Sequence, residues 1–168
     1  MENIFLIGFM GTGKSTVASW LSREYDMDVI EMDERIAEKE GISIPEIFKK
    51  YGETYFRDAE TGVLQEIAGE KNKVISCGGG VVLRESNVAL MKQNGRIIFL
   101  TATPETILER VKDSDNRPLL QNHKNLVSIR EMMEQRREKY EKAADLIIDT
   151  DKKAIQEICL EILGNVGD

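Results

Sequence analysis

The sequence predicts an α/β fold: a five-stranded parallel sheet held between two layers of helices as a three-layer α/β/α sandwich. Three observations carry that expectation. Short runs rich in Ile and Val alternate along the chain with helical patterns. Several of these runs stay apolar for three or four residues without alternating, as strands buried on both faces do. Strand alternating with helix also implies right-handed crossovers, which place helices on both faces of a parallel sheet.

The strand candidates, in order, are "IFLIG" from Ile4, "DVIEMD" from Asp28 to Asp33, "KVISCG" from Lys73, "RIIFLT" from Arg96 and "DLIIDT" from Asp145. Each is bounded by Gly, Asp or Thr. Helical patterns run from Lys14 to Tyr25, Glu34 to Glu40, Pro45 to Tyr51, Glu53 to Glu70, Glu85 to Gln93, Glu105 to Val111, Leu126 to Ala144 and Lys153 to Leu163. In the fourth, Phe56, Ala59, Val63, Ile67 and Ala68 follow helical spacing. The stretch "DSDNRPLLQNHKN", Asp113 to Asn125, breaks the alternation. It is polar, contains Pro118 and has no period, so it reads as a mobile loop of the length that lids have.

Length and composition narrow the class. A chain of 168 residues, 41% hydrophobic and 32% charged, suits one soluble globular domain. No apolar run approaches the roughly 20 residues of a membrane helix. Met1-Glu2-Asn3 lacks the basic start of a signal peptide, so a cytoplasmic location is expected. The net charge of −7 and pI near 5.0 argue against a general nucleic-acid surface, which needs an excess of Lys and Arg. A small anionic ligand needs only a local cluster of cations. The two cysteines, Cys77 and Cys159, are too few for a disulfide framework and lack metal-ligand spacing. Cys159 shares a helix stripe with Ile155, Ile158 and Ile162 and reads as core. Trp20, Met132 and Met133 read as core too, and His123, alone in the polar loop, as surface.

The first strand runs into "GFMGTGKST". Gly8, four residues, then Gly13-Lys14-Ser15 is the G-x-x-x-x-G-K-[ST] phosphate loop, in the strand-then-helix setting it requires. Glycine lets successive backbone N–H groups turn inward and wrap an oxyanion. The following helix aims its positive end at the same place. Gly11, Thr12, Gly13 and Thr16 belong to this cradle. Lys14 would reach the β and γ phosphates, and the Ser15 hydroxyl would ligate Mg²⁺. A nucleoside triphosphate with Mg²⁺ is the expected pair of ligands.

Ligands of an open α/β sheet bind beyond the carboxyl ends of its strands, here Gly8, Asp33, Gly78, Thr101 and Asp149. Asp33 is either an N-cap for the next helix or a functional carboxylate that orients a substrate hydroxyl toward the γ-phosphate. Glu31, two residues earlier, could approach Mg²⁺, through water. Gly78, Gly79 and Gly80 form either a simple turn or a bare backbone pressed against a ligand. Arg57 follows Tyr55-Phe56 on a first helical turn, and Arg136 lies on the apolar stripe of Met132, Met133 and Tyr140. An inward guanidinium must meet an anion. The alternative is a stem that packs while the head reaches solvent or pairs with a structural carboxylate. Arg117, held extended by Pro118, sits in the loop as either a solvated charge or an arginine finger closing over phosphate.

Together, "GFMGTGKST", the block from Asp33 to Glu60 with "GISIPEIF" and "GETYFRDAE", "GGG" at 78–80, "NRPLL" at 116–120 and Arg136 to Tyr140 resemble the shikimate kinases across nearly the whole chain. The resemblance implies a P-loop nucleoside monophosphate kinase-like fold in one domain over 1–168. It would have a substrate-binding helical region at about 33–61 and a lid at about 112–125. It implies transfer of the γ-phosphate of Mg·ATP to the 3-hydroxyl of shikimate, in the route to chorismate and aromatic amino acids. By position, Asp33 would hold the shikimate hydroxyls and act as the base-like residue. Arg57 and Arg136, with Gly78, Gly79 and Gly80 beside them, would grip its carboxylate. Lys14 and Arg117 would stabilise the moving phosphoryl group, and Arg110 and Lys153 would lie near adenine. Many members carry D-x-D where this chain has Glu31-Met32-Asp33, which leaves the Mg²⁺ role of Glu31 open. A monomer is expected, with a small-molecule substrate and no nucleic acid or membrane partner. The rivals are a kinase of another hydroxy acid such as gluconate, a non-catalytic sensing module, and a P-loop GTPase, for which no N-K-x-D signature exists.

Overall fold

The computed structural model describes residues 2–111 and 125–166. Five strands, β1 (Asn3–Ile7), β2 (Asp28–Glu31), β3 (Lys73–Ser76), β4 (Gly95–Thr101) and β5 (Leu146–Asp149), pair in parallel in the order β2-β3-β1-β4-β5. The helices are α1 (Lys14–Tyr25), α2 (Met32–Glu40), α3 (Ile44–Ala68), α4 (Glu85–Asn94), α5 (Pro104–Val111), α6 (Leu126–Ala143) and α7 (Ile155–Leu163). A 3₁₀ turn, Val81–Leu83, follows the glycine triplet.

Alternation along the strands sorts the core into two layers. Ile4, Leu6, Val74, Ile98 and Leu100 face α1 and α7 through Val17, Leu21 and Ile158. Phe5, Ile7, Ile75, Ile97 and Phe99 face the other way, onto Val63, Leu64, Met91 and Tyr140 of α3, α4 and α6. These are the three layers that the sequence predicts. A smaller cluster, Phe9, Ala102, Ile107, Val111 and Ile129, packs α5 and α6 under the phosphate loop.

One boundary differs from expectation. Asp33 does not end a strand: β2 stops at Glu31, and Met32 is already helical. Asp33 and Glu34 thus occupy the first turn of α2, where the helix dipole favours negative charge, and Asp33 is not its N-cap. The patterns at 45–51 and 53–70 are two helical segments, as expected, meeting at a kink where Gly52 leaves helical geometry (φ 88°, ψ 174°), and together they make up α3. Ser43 caps its start: the Ser43 hydroxyl oxygen accepts from the Glu46 amide at 3.3 Å and donates to the Glu46 carboxylate at 3.1 Å, with Pro45 in the first turn.

Candidate active site

Strand order places the site. β1 and β3 are neighbours, so the loop after Ile7 and the glycine turn after Ser76 leave the sheet side by side. The Cys77 amide still donates to the Leu6 carbonyl at 3.1 Å. Between these loops and the α2–α3 pair lies a cleft of about 720 Å³. Gly11, Gly13, Lys14, Ser15, Thr16, Glu31, Asp33, Arg57, Gly78, Gly79, Gly80, Arg110 and Arg136 all line it.

One wall is the phosphate loop. Gly13 stands at φ 97° as α1 begins, and no side chain caps that helix. Its first amides therefore point at the cleft, a site built for an anion. Lys14 Nζ donates to the carbonyls of Gly8 at 2.5 Å and Phe9 at 3.2 Å, folded back along the loop. Ser15 Oγ donates to Glu31 Oε2 at 3.1 Å and lies 3.5 Å from Ser76 Oγ. These are hard oxygen donors of the kind Mg²⁺ takes beside nucleotide phosphates and water. Arg110 Nη1 reaches the Gly11 carbonyl at 2.8 Å. Thr12 turns away, buried, and donates to the Phe9 carbonyl at 2.9 Å, leaving its backbone to the cradle. Lys153 follows β5, pairs with Glu161 at 3.0 Å and is not among the residues lining the cleft. Arg117 and the loop containing it fall outside the described residues.

The opposite wall is charged, and its arginines and Glu60 are buried. Arg57 and Arg136 are 8% and 9% exposed, so neither guanidinium is a solvated surface charge. Arg57 pairs with Glu60 through Nη1 at 3.1 Å and with Glu53 through Nε at 3.3 Å. Its head lies flat against the glycine turn, and a Cβ on Gly80 would fall 2.5 Å from Arg57 Cζ. A Cβ on Gly78 would meet Glu60 Oε2 at 2.9 Å and Asp33 Oδ1 at 3.1 Å. The excess of glycine is therefore explained first by the chain's own buried charges, and only then by a ligand. Tyr140 donates from its hydroxyl to the Gly79 carbonyl, with the Arg136 guanidinium beside that hydroxyl. Burial raises the Tyr140 pKa, so the phenol keeps the proton it donates.

Glu60 is the residue that sequence reasoning passed over. It is fully buried and carried no signal except its place three residues after an inward arginine. Burial pushes its pKa up, with Arg57 and Arg136 pulling it down and Asp33 adding to the rise. Glu60 therefore sits in the field of all three. Its Oε2 and Asp33 Oδ1 are buried and find no hydrogen-bond donor among the described residues. A buried acceptor without a donor is costly, and here two face the same cleft.

A family model described as shikimate kinase matches residues 10–166. The chain belongs to the shikimate kinase family. A shikimate kinase of Persephonella marina is 42% identical over 166 residues, covering 99% of both chains. Solved structures agree. Shikimate kinase from Acinetobacter baumannii in complex with shikimate superposes with a TM-score of 0.92 at 35% identity, covering 97% of this chain and 91% of that one. The enzyme from Aquifex aeolicus gives 0.82 at 43% identity, over 97% and 95%. Shikimate kinases are phosphotransferases that use ATP with Mg²⁺. Membership displaces the gluconate, sensor and GTPase readings, and the fold is the expected P-loop type. Among the described residues, no helix is long and apolar enough to cross a membrane.

Proposed function

We propose that the shikimate phosphorylated by this kinase sits between the glycine turn and α2–α3, with its ring hydroxyls on Asp33 and its carboxylate between Arg57 and Arg136. The observation that carries this is the pairing of opposite needs in one cleft. Asp33 Oδ1 wants a donor, and two buried guanidiniums have donors to give. A small acid bearing hydroxyl groups supplies both complements at once. The 3-hydroxyl is the acceptor in this arrangement, held by Asp33 toward the nucleotide.

On the other wall, the open amides of α1 and Lys14 take the triphosphate. Ser15 and Glu31 would hold Mg²⁺, whose positive charge would offset that of the nucleotide phosphates. The transition state of phosphoryl transfer is loose, so positioning and charge stabilisation matter more than base strength. Asp33 orients the hydroxyl and accepts its proton as the bond forms. Lys14 leaves the loop carbonyls to follow the moving charge. Arg110 borders the nucleotide at Gly11, and Lys153 lies on its adenine side. Arg117, from a lid at about 112–125, completes the phosphoryl site; it lies outside the described residues. The region at about 33–61 carries the acceptor side within one domain. The enzyme acts as a monomer in the cytoplasm, without nucleic-acid or membrane partners.

A coupled assay of ADP release tests the acceptor site. Run with shikimate, quinate, gluconate and no acceptor, it should turn over on shikimate alone. Equal turnover on gluconate, which lacks the ring, overturns the assignment.

A further inference from the structure

A chain of polar side chains lies behind the acceptor wall and touches nothing in the cleft. Arg84 follows the 3₁₀ turn and donates from Nη2 to Asp58 at 2.7 Å and from Nη1 to Thr61 Oγ1 at 3.3 Å. Thr61 Oγ1 in turn lies 3.0 Å from Asn87 Oδ1, and Asn87 Nδ2 lies 3.0 Å from the Val81 carbonyl. The directions are forced. A guanidinium only donates, so the Thr61 hydroxyl spends its single proton on Asn87 Oδ1. The Asn87 amide group must then face the Val81 carbonyl. Asn87 is 1% exposed, so each of its bonds is costly to lose.

The connection spans the two elements that set the acceptor grip. Thr61 lies one helical turn beyond Arg57 on α3. Val81 is the residue after Gly80, against which the Arg57 guanidinium is pressed. The gap between α3 and the glycine turn decides how far that guanidinium projects into the cleft. We infer that Thr61 and Asn87 are positioning residues that hold α3 at fixed spacing from the glycine turn, and so set the Arg57 head for an acceptor carboxylate. They act through Arg57 and contact no substrate. The assignment rests on Arg57 being the carboxylate grip.

The test is Thr61→Val, which keeps shape and removes the hydroxyl, with Thr61→Ser as the conservative rescue. KM for shikimate should rise by roughly three- to tenfold in Thr61→Val, the effect of a misplaced rather than absent binding group. Thr61→Ser should restore it. The kcat and the KM for ATP should stay within about twofold of wild type. The rise should vanish when the acceptor is the methyl ester of shikimate, which offers no carboxylate. A purely structural role would lower the melting temperature and leave this KM split unmoved, and that result overturns the inference. Asp58→Asn, at the exposed end of the chain, should give a smaller rise of the same pattern and serves if Thr61→Val does not fold. Arg57→Lys separates the two levels. If it leaves KM for shikimate unchanged, Arg57 is not the grip. If it raises KM while Thr61→Val does not, only the positioning role fails.

Discussion

The Arg57 guanidinium occupies the space that a side chain on Gly80 would need. With φ at −103°, Gly80 has a backbone any residue can adopt, so glycine is required there for room and not for conformation. One residue on the turn after β3 thereby sets the position of a charge on α3.

Gly80→Ala should push the guanidinium off the turn. Overpacking of this kind costs about 1–3 kcal/mol. KM for shikimate should rise by about tenfold or more, since the displaced head is itself the proposed grip. Nucleotide affinity should hold. Steady-state kinetics with each substrate varied in turn would check this, and an unchanged shikimate KM would count against the stacking of Arg57 on Gly80 as a functional contact.

Asp33→Asn keeps size and removes the charge proposed to orient the acceptor. The kcat should fall by about 10²- to 10⁴-fold, the range for a lost acid–base partner. ATP binding measured by calorimetry should be nearly the same as wild type. Retained turnover would remove Asp33 from the chemistry.

Tyr140→Phe deletes one hydroxyl from a buried ring stacked on Phe99 at 4.9 Å. The Gly79 carbonyl loses its donor and Arg136 loses a polar neighbour. Stability should drop by about 1–2 kcal/mol. KM for shikimate should rise severalfold while KM for ATP does not. Denaturant melts and kinetics on the same preparation would separate the two effects, and an unmoved shikimate KM would leave Tyr140 a packing residue.

Glu60 gives a pH signature. Burial raises its pKa above the ordinary 4.5, and Arg57 opposes that rise without cancelling it. The folded chain then binds this proton more tightly than the unfolded one. The Glu60 contribution to stability is full below about pH 4.5 and is lost as pH rises through the raised folded value. Relative to Glu60→Gln, which does not titrate, wild type should lose ground as pH increases from about 4 to 8. Melting curves of both proteins across that range test the sign. A gap that stays level or widens in favour of wild type would show that the ion pair with Arg57 outweighs burial.

Much of this protein could be read before folding was considered. Gly8 to Ser15 carries its own geometry, because a phosphate loop is a local backbone device followed directly by its helix. The strands and helices were legible from period and punctuation, to within a few residues. Asp33, Arg57 and Arg136 stood out because a charge at an apolar position or on a binding rim is unusual anywhere. Glu60 did not, since a carboxylate three residues from an arginine on a helix is an ordinary surface pair until its burial is known.

What local sequence could specify was the set of elements and the chemistry at their ends, since period, capping and turn residues act over a handful of positions. Pairing β3 against β1 was a matter for the folded chain. That non-local choice laid the glycine turn beside the phosphate loop, turned Glu60 inward next to Asp33, and made Gly80 the seat of Arg57. Burial and proximity are properties of distant segments meeting, so no single stretch of residues could have announced them.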